Sequence, residues 1–81
     1  MASVYVLKSL RNGKRYVGVT AEDVAKRVYQ HNTGKNRWTR SNGPFQLVHV
    51  ERYDDMGLAR RRERFLKSGS GRSFLDRAIP R

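Results

Sequence analysis

Residues 11–20 read RNGKRYVGVT, and residues 21–34 continue AEDVAKRVYQHNTG. Asn12-Gly13 lies between two runs rich in β-branched and aromatic residues, Ser3–Ser9 (SVYVLKS) and Lys14–Thr20 (KRYVGVT). Such a dipeptide is a strong two-residue hairpin signal, because both turn positions need positive φ. The spacing then pairs Ser9 with Tyr16, Leu7 with Gly18 and Tyr5 with Thr20. Opposed residues share a face and neighbours along a strand alternate. Tyr5, Leu7, Tyr16, Gly18 and Thr20 therefore lie together, and Val4, Val6, Val17 and Val19 form an ordinary core face. A glycine in mid-strand costs stability. At Gly18 it opens a gap near two tyrosine hydroxyls; a bulge or a close helix contact would explain it equally well.

A helix should follow. Thr20, Glu22 and Asp23 supply its start, Val24 and Val28 its apolar stripe, and Asn32-Thr33-Gly34 its stop. Residues 35–44 (KNRWTRSNGP) read as a loop, and residues 45–53 (FQLVHVERY) as a third strand. Asp54-Asp55 caps a second helix running through MGLARRRERFLK. The stretch 68–71 (SGSG) should break it, leaving a short last helix over residues 72–79. The expectation is one α+β domain over residues 1–81, a three-stranded antiparallel sheet flanked by helices in the order β-β-α-β-α-α.

Composition narrows the partner. The 81 residues include 18 Lys and Arg against 7 Asp and Glu, a net charge of +11. Self-repulsion on that scale is relieved by a polyanion, and nucleic acid leads the candidates. There is no cysteine, hence no disulfide or thiolate metal site, and two histidines do not make a zinc site unaided. No apolar stretch reaches the length of a signal peptide or a membrane span, so a cytoplasmic protein without a membrane partner is expected. The charge does not bear on oligomeric state.

Several side chains carry candidate chemistry. Arg27 and His31 are four apart and share one side of their helix. A guanidinium there suits a phosphate, forking onto two oxygens, although one exposed charge among many is the plainer reading. His31 on that side would tie the helix to the sheet. The acidic residues are scarce. Glu22, Asp23, Asp54 and Asp55 suit helix N-termini, Asp76 suits a surface, and Glu51 in the third strand is open as a ligand. Glu63 points to the apolar side of its helix amid arginines. It is either a salt bridge or a carboxylate held for one Mg²⁺, which commonly takes one or two carboxylates, waters and phosphate oxygens. Lys35, Arg37 and Arg40 interleave with Trp38, a pattern that grips phosphates and stacks a base, unless Trp38 packs onto the core. Lys26, Lys67 and Arg72 extend the basic surface.

The motifs Val4-Tyr5-Val6 and Tyr16-Val17-Gly18, the stretch AKRVYQHNTG with Arg27 and His31, and LARRRERFLKSGSGRSFL with Glu63 and Lys67 together resemble the GIY-YIG nuclease family, in its small single-domain bacterial form. The first motif has Val4 in place of glycine, and the asparagine that larger members carry beyond the glutamate is missing. The resemblance implies a metal-dependent endonuclease hydrolysing phosphodiester bonds in DNA, favoured over RNA, at structured or single-stranded sites. One Mg²⁺ or Mn²⁺ would sit on Glu63, Arg27 would hold the scissile phosphate, Tyr5 or Tyr16, the latter favoured, would activate water, and His31 would polarise a tyrosine hydroxyl or relay its proton. Larger repair nucleases in the family bind DNA with a separate domain; here the basic surface would have to do so. The alternative is a non-catalytic nucleic-acid-binding module on the same fold.

Overall fold

The computed structural model describes residues 1–34 and 37–79, with the backbone alone at Trp38 and Thr39. Strand β1 (Ala2–Ser9) is central, flanked by β2 (Arg15–Thr20) and β3 (Phe45–Tyr53), both antiparallel to it in the order β2-β1-β3. Val4, Tyr5, Val6 and Leu7 are all fully buried, which is why β1 reads as an unbroken apolar run: both of its faces are covered.

The hairpin differs from the two-residue expectation. Tyr5 pairs with Gly18 and Leu7 with Tyr16, a register two residues from the one an Asn12-Gly13 turn would set. The loop has four residues, closed by Ser9 N donating to the Lys14 carbonyl at 2.8 Å and Gly13 N donating to the Ser9 carbonyl at 2.9 Å. Gly13 has φ +75°, but Asn12 does not take positive φ, so the turn lacks the second residue that type I′ needs. The buried hydroxyl of Ser9 holds this loop. It accepts from Arg11 N at 3.1 Å and Asn12 N at 3.2 Å and donates to the Asn42 carbonyl. Because the shift is even, no side chain changes face.

Two cores result. On the valine face, Ala2, Val4, Val6 and Val17 pack against Ala59, Leu66 and Leu75 of helices α3 (Met56–Leu66) and α4 (Gly69–Ala78). On the tyrosine face, Tyr5 and Leu7 pack against Val24, Val28 and Phe45, covered by α1 (Val24–Asn32). A bulge between Val6 and Leu7 in the β1–β3 ladder keeps both Phe45 and Val50 on the tyrosine side, although one is odd and the other even.

The caps match the sequence. Asp23 accepts from Ala25 N at 2.9 Å, Asp55 accepts from Leu58 N at 2.9 Å, and Gly34 leaves α1 with φ +70°. Two expectations fail. Residues 37–42 form a short helix α2 (Arg37–Asn42) where a loop was expected. It has no apolar period to announce it; its end is held by the hairpin, through Asn12 Nδ2 donating to Asn42 Oδ1 at 2.8 Å and Arg11 donating to the Ser41 carbonyl at 3.2 Å. The chain breaks at Lys67-Ser68 between α3 and α4, but α4 begins at Gly69, three residues before the expected start at Arg72. Ser68 is the cap and accepts from Gly71 N at 3.2 Å. Gly71 lies so close to the end of α3 that a Cβ there would fall on the Phe65 carbonyl oxygen and Leu66 Cα.

Candidate active site

Tyr5 lies opposite Gly18 across the β1–β2 ladder and leans over it. A Cβ on Gly18 would stand 2.5 Å from Tyr5 Cζ and hydroxyl oxygen and 3.0 Å from Tyr16 Cε1. The missing side chain is therefore the space the Tyr5 ring occupies, not a bulge. The Tyr5 hydroxyl reaches His31 Nε2 at 3.1 Å, and the Tyr16 ring lies 4.8 Å from the His31 ring. Helix α1 supplies His31 from its last turn because Val24 and Val28, seven and three residues earlier, turn that side onto the sheet. Burial, then the charge of Arg27, pushes the His31 pKa down, so its imidazole is neutral at physiological pH.

Tyr5 has no exposed surface, and burial raises its pKa above the ordinary tyrosine value. The Arg27 guanidinium against its hydroxyl opposes that rise, while the charges of Tyr16 and Glu63 add to it. Thus Arg27 from α1 and Glu63 from α3 both act on one phenol, although their helices cover opposite faces of the sheet. Arg27 also donates to Gln30 Oε1 at 3.0 Å, and its Nε is buried with no hydrogen-bond partner among the described residues. Such a donor costs about 1–3 kcal/mol, a sign that the position serves more than packing.

The Glu63 side chain is 20% exposed and pairs with Lys67 Nζ at 3.3 Å, not with a neighbouring arginine. Among the described residues no three His, Asp or Glu side chains gather as a metal cage. A Mg²⁺ or Mn²⁺ would rest on the Glu63 carboxylate alone, completed by water and phosphate oxygens; this donor set fits Mg²⁺, which retains its waters readily.

Glu51 is not available as a ligand there. It pairs with Val4 on the valine face, accepting from Arg62 Nε at 2.8 Å and the Tyr53 hydroxyl at 2.6 Å, with His49 Nε2 at 2.8 Å. Thr20 is buried and its hydroxyl accepts from Glu22 N at 2.9 Å, which shapes the entry to α1. Lys26 is exposed beside Glu22, Arg37 and Arg40 are exposed on α2, and Arg72 is exposed on α4. Lys35 and the Trp38 side chain lie outside the described residues. Sequence reasoning missed Gln30, whose only signal is its place three residues after Arg27, and Arg15, whose only signal is its place beside Tyr16. Among the described residues no helix is long and apolar enough to cross a membrane.

Comparison with known proteins follows the same lines. The family model of the GIY-YIG catalytic domain matches residues 1–74. A UPF0213 protein of Natronomonas pharaonis is 41% identical over 66 residues, covering 80% of this chain and 75% of its own. A UPF0213 protein of Staphylococcus saprophyticus is 35% identical over 73 residues, covering 89% and 87%, and one of Halobacterium salinarum is 40% identical over 68, covering 83% and 86%. No solved structure matches the chain. With its two tyrosines set around Gly18 and the domain match running through α1, β3 and α3, the chain belongs to the GIY-YIG family, whose catalytic domain is a nuclease fold acting on nucleic acid.

Proposed function

We propose that the protein is a metal-dependent endonuclease that hydrolyses phosphodiester bonds in DNA at branched or single-stranded sites. The observation that supports this reading is the grouping of Tyr5, Tyr16, Arg27 and His31 about the Gly18 gap from two strands and one helix, with the Glu63 charge felt at the Tyr5 phenol. A purely structural cluster has no need of a buried, unpaired guanidinium donor beside a phenol.

Roles follow from burial. Tyr5 is enclosed, with its hydroxyl bound to His31 and its pKa raised by burial, so it positions rather than deprotonates water. Tyr16 is partly exposed on the edge strand and is the group that reaches an attacking water. Neutral His31 keeps the Tyr5 phenol in place, and Arg27 holds the scissile phosphate. A divalent ion on Glu63 would stabilise charge on the leaving oxygen. The same reading puts the protein in the cytoplasm, with a role in DNA repair.

The test is cleavage of labelled flap, Y-form, single-stranded and RNA substrates with and without Mg²⁺ or Mn²⁺. Glu63→Gln should lower cleavage per folded molecule by about 100-fold or more, since metal stabilisation amounts to several kcal/mol. Arg27→Ala should abolish cleavage and also weaken binding. Wild-type activity in folded Glu63→Gln would overturn the site. A folded, metal-supplied wild type that cleaves none of the substrates would make the protein a binding module.

A further inference from the structure

Beside Tyr16, the edge of β2 and helices α3 and α4 enclose a cleft of about 390 Å³. Its floor is apolar, made by Val17, Leu66 and Leu75, and its rim carries Arg15, Lys67 and Arg72. A second hollow of about 490 Å³ shares Arg15 and Arg72 and continues to Lys14 and Gly13 in the hairpin, with Asp76 in its wall. The first hollow has no acidic lining residue and ends at Tyr16, and Lys67 on its rim pairs with Glu63. Arg15 is held by an ion pair with Asp76.

We propose that this cleft is the track along which an unpaired DNA strand reaches the site, and that Asp76 masks Arg15 until the strand's phosphate displaces it. The proposal rests on the nuclease reading and deepens it. Cations in a row along a groove track a phosphate backbone, and an adjoining aromatic ring with apolar floor takes an unstacked base. A hollow of this size is at the lower end of the range of about 300–1,000 Å³ that encloses a small organic group. It admits one nucleotide out of the stack and not a duplex. A phosphate offers the Arg15 guanidinium the same forked oxygens as the Asp76 carboxylate, so one replaces the other without leaving the cation bare.

The experiment is fluorescence anisotropy in EDTA with labelled oligothymidylate, a duplex and a length-matched RNA. Asp76→Asn should tighten single-strand binding about three- to tenfold and steepen the log–log salt slope by about 0.7, one further phosphate. Arg15→Gln should weaken it to a similar degree and make the slope shallower. The double variant should behave as Arg15→Gln, because the mask then has nothing to cover. Unchanged single-strand affinity in Asp76→Asn, an equal gain for duplex, a gain that survives in the double variant, or tighter binding to RNA would each overturn the proposal. If these binding shifts occur while Glu63→Gln still cleaves, the track stands and the site assignment falls. If Glu63→Gln is inactive and the shifts are absent, the reverse holds.

Discussion

At Gly18 a single methyl would collide with the tyrosine rings that fill the candidate site. Alanine there would meet Tyr5 Cζ and hydroxyl oxygen at 2.5 Å, and Tyr5 has no room to yield because it is fully buried between β2 and α1. Overpacking of this kind costs about 1–3 kcal/mol. Gly18→Ala should therefore lower the melting temperature and also reduce cleavage per folded molecule, because the Tyr5 hydroxyl would leave His31. A variant that keeps both wild-type stability and activity would contradict the packing. The candidate residues were legible in the sequence as types at spacings: two tyrosines and a glycine on one face, Arg27 and His31 four apart. The reason for the glycine was not. A bulge, a helix contact and a crossing ring all leave the same alternating pattern, and only the cross-strand partner Tyr5 distinguishes them.

Helices α3 and α4 show how misleading a local signal can be. The stretch 68–71 combines two glycines and two serines, and intrinsic preference favours a break there. The break falls at Lys67-Ser68, and both glycines join the first turn of α4, where Gly71 permits a backbone approach to Phe65 and Leu66 that no other residue would. Gly69, two residues earlier, has nothing within 4 Å of a built Cβ. The pair makes a clean comparison. Gly71→Ala should destabilise by several kcal/mol, on the order of a severe overpacking defect, whereas Gly69→Ala should be neutral or stabilise by about 0.5–1 kcal/mol. Denaturant midpoints of the two variants check this; equal effects would mean that α3 and α4 do not pack so closely. Helix α2 was hidden for the opposite reason. Its six residues carry no apolar stripe, and contacts with Arg11 and Asn12, some thirty residues away in sequence, hold its end.

Across the whole molecule, a net charge of +11 sits on a body with a Cα radius of gyration of 12.2 Å. Few acidic side chains are available to balance them, and Glu51 is the most heavily used. Burial alone would raise its pKa, but Arg62, His49 and Tyr53 together draw it from 4.5 to about 2. A carboxylate depressed in the folded state contributes stability that is complete above the unfolded value and lost as pH falls toward the folded one. The loss lies between about pH 4.5 and 2, and amounts to about 2–3 kcal/mol for a side chain that is 16% exposed. Melting curves from pH 6 to pH 2.5 should steepen in that window. Glu51→Gln should be less stable at pH 6 and should flatten that part of the profile; a parallel profile would mean the carboxylate is not held by its three partners.

The sequence by itself determined the class of fold, the elements apart from α2, and the parity of each side chain in the hairpin. These rest on local physics: strand alternation, helix caps at Asp23 and Asp55, and a glycine turn. Parity survived a two-residue error in register because the side-chain period is two. The tertiary structure alone decided which groups meet. On paper Glu51 was open as a ligand and Glu63 was either a salt bridge or a metal carboxylate; strand pairing sent the first to the valine face against Arg62, and helix packing left the second paired with Lys67. Sites of this kind depend on distances between residues far apart in the chain, and those distances are fixed by the packing of elements across the sheet rather than by any spacing within one of them.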